Sequence, residues 1–233
     1  MTKPERLSLS KLSNKEFPFI NKLDRDQEDM VEKLFKNKRV IVNARAGSGK
    51  THCSVQAMKA LLDKGHIDKI YYVVFPVQER SLGYLPGGIA EKIQEYAVPF
   101  HQALITAGVN TQYLNMETMC DTFIDFEYKV VPHTFLRGRT VEKAGVIVDE
   151  IQNAQLSELK KTLTRITDDC YVVMAGHTGQ IDIKEGDSGF SALIYHFKQG
   201  KLSGEFTEVE FAELQQNYRG YFANFSDNLG TYK

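Results

Sequence analysis

Apolar residues along this chain fall into two kinds of run. Short, nearly unbroken ones at residues 40–42, 70–77, 128–132, 146–148 and 171–175 have the length and composition of strands buried on both faces, as in a parallel sheet. Between them, apolar residues recur at spacings of three and four, the stripe of a helix with one buried side. Residues 24–36 carry such a stripe in Met30, Val31, Leu34 and Phe35, with Asp24 as the N-cap; a second follows Thr51 in Ala57, Met58, Leu61 and Leu62. Residues 89–107 predict a helix broken or kinked at Pro99, 116–128 another with Met119, Phe123 and Phe126 as core, and 156–166 a further one. Val209 and Phe211 suggest a last strand, and 213–219 a closing helix or turn. Strands alternating with helices predict a doubly wound α/β fold, a mostly parallel sheet with helices on both faces, whose ligands bind beyond the carboxyl ends of the strands. Residues 1–22, polar and basic with Phe17, Phe19 and Ile20 scattered among them, read as an arm that drapes over the domain or stays mobile; residues 23–233 read as one domain.

The chemistry concentrates where the first apolar run ends. In KRVIVNARAGSGKT, residues 38–51, a strand passes through a glycine-rich turn into a helix, the context of a phosphate-binding loop. Gly47 and Gly49 permit backbone conformations that a Cβ would forbid, so successive N–H groups of Ala46, Gly47, Ser48, Gly49 and His52 can approach phosphate oxygens at the positive end of the helix. Lys50 is placed to reach the β- and γ-phosphates and the Thr51 hydroxyl to hold Mg²⁺. The first position of the G-x-x-x-x-G-K-[ST] pattern is Ala44, which alters the turn out of the strand rather than the part nearest the phosphate. Gln27, upstream in the first turn of its helix, either donates to and accepts from an adenine edge, selecting ATP, or is solvated.

A second signal is GVIVDEIQN, residues 145–153. Its apolar strand ends in adjacent acids at the edge where the phosphate loop also lies, so Asp149 suits Mg²⁺ and Glu150 suits orienting and deprotonating an attacking water. After the run at 171–175 comes GHTGQIDI, where Gln180 is placed to sense a γ-phosphate and Asp182 to brace the loop. The loop 78–88 lies at the same height, and its Arg80 is either a phosphate or nucleic-acid contact or part of an ordinary connection. Arg137 and Arg139 flank a glycine and either hold phosphate or a neighbouring acid or form a solvated basic turn; Arg219 is either an arginine finger or solvated.

Composition narrows the setting. A net charge of -1, from 29 basic and 30 acidic residues, excludes a strong global attraction to nucleic acid but leaves a local basic groove open. Three distant cysteines with no C-x-x-C point to reduced thiols, and the absence of an 18-residue apolar run to a soluble cytoplasmic protein with no membrane partner.

Taken in order, ARAGSGKT, LGYLPGGIAEKIQEY, FLRGRT, IVDEIQN and GHTGQIDI resemble the PhoH-like family of P-loop ATPases, over about residues 27–219. The resemblance implies a single RecA-like domain, similar to the ATPase core of superfamily 1 helicases. It assigns Gly47, Gly49, Lys50 and Thr51 to the nucleotide, Asp149 and Glu150 to Mg²⁺ and water, and Gln180 to the γ-phosphate. Gln152 would couple the nucleotide to moving parts of the site. It also implies ATP and Mg²⁺ as cofactors, RNA or single-stranded DNA as a partner, and a ring of identical chains, such as a hexamer. Ala44 and Arg45 depart from the family's usual Gly-Pro, and His177 stands where an aspartate is usual. QQNYR resembles the helicase element whose arginine touches the γ-phosphate, which favours Arg219 as a contact in its own chain or across an interface. The alternative is a nucleotide-dependent nucleic-acid-binding or scaffold module with little turnover.

Overall fold

The structure, a computed structural model, describes residues 6–76, 89–121, 124–179 and 186–226. Among these residues the strands are β1 (Arg39–Ala44), β2 (Lys69–Val74), β3 (Tyr128–Pro132), β4 (Ala144–Val148), β5 (Tyr171–Gly176) and β6 (Glu210–Leu214). The helices are α1 (Arg25–Asn37), α2 (Lys50–Asp63), α3 (Ile89–Thr106), α4 (Met116–Cys120), α5 (Leu156–Leu163), α6 (Phe190–Ser203) and α7 (Tyr221–Ser226). The strands form one sheet in the order β3-β2-β4-β5-β1-β6, and every pairing is parallel.

Because side chains alternate along a strand, each strand feeds two cores. Val40, Val42, Ile70, Tyr72, Val130, Ile147 and Val173 face the side covered by α1 to α4; Ile41, Val73, Val131, Val146, Val148 and Val172 face α5 and α6. This double burial is why the strands read as continuous apolar runs. Among the described residues, no helix is long and apolar enough to cross a membrane.

The predicted strands all form, and three helical readings are corrected. Pro99 does not break α3: it sits on the exposed side, where water can reach the carbonyl that its missing N–H leaves unpaired. The predicted helix 116–128 is only α4; Asn115 caps it, Asp121 is extended, and the buried Lys129 donates to the Asp121 and Ile124 carbonyls just before β3. Residues 213 and 214 belong to β6, and the segment beyond is irregular rather than helical until α7. Helix α6 was not read from the pattern: Tyr195 and Leu202 are exposed apolar residues that blur its stripe.

The N-terminal segment drapes over the domain from residue 6 onward. Leu7, Leu9, Leu12 and Phe17 are buried in the core shared with α1 and α2, and Ser8 Oγ and Leu9 N donate to Glu32 at 2.9 and 2.7 Å. Phe17 is fully buried, so Phe17→Ala should destabilise the whole fold by about 3–5 kcal/mol and lower the melting temperature by on the order of 10 °C. A melt unchanged within about 2 °C would mean that the segment is dispensable.

Candidate active site

Helix α1 starts with a capping box: Asp24 accepts from Gln27 N at 2.8 Å, and Asp24 N donates to Gln27 Oε1 at 3.1 Å. That reciprocal pair holds the Gln27 side chain back over the helix start, and its Nε2 donates to the Ser48 carbonyl at 2.9 Å. Gln27 is thus a brace of the glycine-rich loop, and contact with a base would require it to exchange the Ser48 bond.

The loop itself needs its glycines. Gly47 (φ +73°) and Gly49 (φ +79°) lie in the left-handed region, and a Cβ on Gly47 would come within 2.5 Å of Asn217 Oδ1 and 2.7 Å of Arg219 Cγ. Tyr218 N donates to Gly47 O at 2.9 Å, and the Tyr218 hydroxyl donates to Asp24. The segment after β6 therefore straps the loop from outside and lays Arg219 of the same chain against it. Ser48 Oγ is buried with no hydrogen-bond partner among the described residues.

Strands β1 and β4 are separated by β5, a lateral gap of about 10 Å. Side chains from the first turn of α2 close it. Lys50 Nζ lies 2.7 Å from Glu150 Oε1 and 3.8 Å from Asp149 Oδ1, while Thr51 Oγ1 donates to Asp149 Oδ2 at 2.7 Å. Burial alone would lower the Lys50 pKa; the charges of Asp149 and Glu150 and the bond to Glu150 outweigh it and hold the ammonium above its ordinary value, with Arg219 opposing them. Tyr72, from β2, donates to the same Asp149 Oδ2 at 2.8 Å; burial, then the Asp149 charge, push this phenol well above its usual range.

Glu150 has φ +49°, a left-handed conformation uncommon for a residue with a Cβ, and its N–H turns back to Asp149 Oδ1 at 2.9 Å. Gln152 Nε2 donates to Glu150 Oε2 at 2.6 Å, and its Oε1 accepts from His177 N at 3.1 Å. Gly176, at the tip of β5, makes room for this bridge: a Cβ there would stand 2.7 Å from Gln152 Oε1. Asn43, beside the loop, accepts from Thr178 N at 3.2 Å.

The structure thus gathers Gln27, Gly47, Ser48, Gly49, Lys50, Thr51, Asp149, Glu150, Gln152 and Arg219, together with Ala46 in the loop. The His52 ring lies 6.3 Å from that of Phe19, and burial lowers its pKa. Arg137 and Arg139 follow β3, four strand positions or about 19 Å from β1, and Arg139 covers the Phe135 ring at 4.3 Å instead of joining the loop. Gln180, Asp182, Arg80, the loop 78–88 and Phe123 lie outside the described residues. A groove of about 630 Å³ lies at the opposite edge of the sheet, between residues 6–11, α1 and Glu210. Within its lining Lys33 pairs with Asp29, and Asn37 donates to Glu210.

Tyr72, Asn43, Tyr218 and Gly176 escaped the sequence reading. A tyrosine inside a buried strand must find a polar partner, which marks Tyr72 for scrutiny, but nothing local says that the partner is Asp149.

The donor set can be judged by its chemistry. A hydroxyl and a carboxylate are hard oxygen donors, and Mg²⁺ takes one or two such protein ligands, completing its shell with water and phosphate. Thr51 and Asp149, in mutual contact, fit that demand; among the described residues no group of three or more His, Cys, Asp or Glu forms a dedicated metal cage. Ser48 Oγ and the two left-handed glycines fit a phosphate cradle.

An all-parallel sheet with helices on both faces and a glycine-rich loop between β1 and α2 defines a single α/β domain of the RecA-like P-loop class. The family model described as PhoH-like protein matches residues 19–218, and the chain belongs to the PhoH family. It is 33% identical over 177 residues to Protein PhoH of Escherichia coli K12, covering 74% of this chain and 48% of that protein. It is 32% identical over 163 residues to the PhoH-like protein of Bacillus subtilis 168, covering 69% of this chain and 49% of that one. With the PhoH-like protein of Mycobacterium tuberculosis H37Rv, identity is 29% over 191 residues, 81% of this chain and 51% of the other. The chain spans about half the length of these relatives.

Proposed function

We propose that this chain binds ATP with Mg²⁺ and hydrolyses it, with turnover coupled to RNA or single-stranded DNA. The observation that carries the reading is the convergence of Lys50 and Thr51 on Glu150 and Asp149 across the tip of β5. Two residues suited to phosphate and cation meet two suited to cation and water, which is the arrangement phosphoryl transfer to water requires.

In this proposal the N–H groups of Gly47 to Thr51 hold phosphate oxygens, and Thr51 and Asp149 hold Mg²⁺. When bound, Mg²⁺ would supply positive charge to offset that of the phosphates. Lys50 trades its 2.7 Å contact with Glu150 for a phosphate oxygen. Glu150, held by Gln152 at 2.6 Å, is then free to orient a water and accept its proton. Arg219, lying on Gly47, supplies positive charge within its own chain, and Gln180 reads the γ-phosphate. Nucleic-acid coupling and a ring of identical chains are part of the proposal on the family resemblance.

The test is phosphate release by the wild type and Lys50→Ala, with and without single-stranded RNA and DNA, with particle mass measured alongside. Lys50-dependent turnover supports ATP hydrolysis; ATP bound without turnover under any condition sinks it in favour of a binding module. Gly47→Ala gives a second check. Its Cβ would displace Asn217 and Arg219 from the loop and strain a left-handed position, so ATP affinity should fall at least about tenfold, an effect of about 1.4 kcal/mol or more, while the chain stays folded. Undiminished binding in a fluorescent-nucleotide titration would remove the strap from the site.

A further inference from the structure

We propose that Tyr72 is a positioning residue that sets the orientation of the Asp149 carboxylate for its cation. The inference rests on the nucleotide reading above and extends it to a strand that contributes neither the phosphate loop nor the acidic pair.

Three donors from three parts of the fold fix this carboxylate. Oδ2 accepts from Thr51 Oγ1 at 2.7 Å and from Tyr72 OH at 2.8 Å, and Oδ1 accepts from Glu150 N at 2.9 Å. Thr51 has a second duty, since its hydroxyl is the other group that faces the cation. The Glu150 N–H belongs to a backbone held in an uncommon conformation. Among the described residues, Asp149 is the hydrogen-bond partner of the Tyr72 hydroxyl and no other competes for it. Its residue is 3% exposed, and its ring lies flat on that of Phe100 from α3, with centroids 4.9 Å apart and planes 8° from parallel.

A phenol held by such a stack cannot swing its hydroxyl aside, because the ring has few torsions to move and both are packed. Its donor direction is therefore set by β2 and α3 and not by the ligand. Together with the Glu150 N–H on Oδ1, Tyr72 stops the carboxylate from rotating about its Cβ–Cγ bond, through a donor that is not itself a cation ligand. A metal ligand held by an outer hydrogen bond binds its ion more tightly, typically by tenfold or more.

Tyr72→Phe isolates this role, since it keeps the ring and its stack on Phe100 and deletes one hydroxyl. The probe is Mn²⁺, standing in for Mg²⁺, titrated into the ADP complex and followed by its free-ion paramagnetic resonance signal; ADP affinity in EDTA and the thermal melt are measured beside it. Mn²⁺ affinity should fall about tenfold while metal-free ADP affinity changes less than about twofold, because the phosphate loop is untouched. In an Asp149→Asn background, Tyr72→Phe should cause no further loss.

Mn²⁺ affinity within about twofold of wild type would overturn the proposal. So would equal losses for Mn²⁺ and metal-free ADP, which would mark a general disturbance of packing. If Tyr72→Phe melts below the assay temperature, the single Asp149→Asn variant and its cycle with Thr51→Ser decide: unaltered Mn²⁺ affinity in Asp149→Asn overturns the assignment. A wild type that takes up neither ADP nor Mn²⁺ with it would refute the nucleotide reading itself, whereas normal wild-type binding with an indifferent Tyr72→Phe refutes only the positioning role.

Discussion

Lys50→Ala is expected to lower kcat/KM for ATP by about 10²–10³-fold, the loss that follows removal of one well-placed donor to developing charge. Lys50 is the cation inserted between the glycine-rich loop and the acidic pair, 2.7 Å from Glu150 and raised in pKa by both carboxylates. Without it the phosphate charge would face Asp149 and Glu150 with only Mg²⁺ and Arg219 to offset them. The fold should survive. Asp149, 3% exposed, keeps donors from Thr51, Tyr72 and Glu150 N, and Glu150 is exposed enough for water to solvate it. Phosphate release and a thermal melt on the same sample separate the two effects. Wild-type turnover in a folded Lys50→Ala protein would show that the loop does not hold the reacting phosphate.

Glu150→Gln is the second substitution with a large expected effect, a fall in kcat of about 10²–10⁴-fold, because glutamine keeps the shape and loses the proton acceptor. Nucleotide binding should persist or tighten. The variant removes a negative charge near the phosphates and loosens the contact that holds Lys50 away from them. It also leaves an amide oxygen to accept from Gln152. The diagnostic result is therefore a split: turnover collapses while the dissociation constant for ATP, from equilibrium titration, holds or decreases. Retained turnover would assign water activation to another group, and lost binding would make Glu150 structural.

Much of the site was legible because its signals are local. Gly47, Gly49, Lys50 and Thr51 are contiguous, and so are Asp149 to Gln152, and each set directly follows an apolar strand. Less legible were residues whose meaning depends on a distant partner. Gln27 reads alone as an adenine contact or a solvated amide; in the fold it is buried and braces the Ser48 carbonyl. Arg137 and Arg139 look like phosphate ligands in sequence, yet they follow β3 at the edge of the sheet. The misjudged helix at 116–128 has a similar cause. Asn115 capping ends in one turn, and the chain is claimed by pairing with β2, which no local periodicity announces.

By itself the sequence determined the class of fold, the two ends of the phosphate and acidic motifs, and membership of a family, because strand and helix periodicity and a contiguous motif are properties of neighbouring residues. Tertiary structure alone decided that β5 separates β1 from β4, that Lys50 and Thr51 span that gap, and that Arg219 returns to Gly47 of its own chain. It also decided that Tyr72 meets an aspartate 77 residues away. The reason is physical: strand order follows from how two apolar faces are jointly covered by helices, a balance over the whole chain that no single stretch encodes.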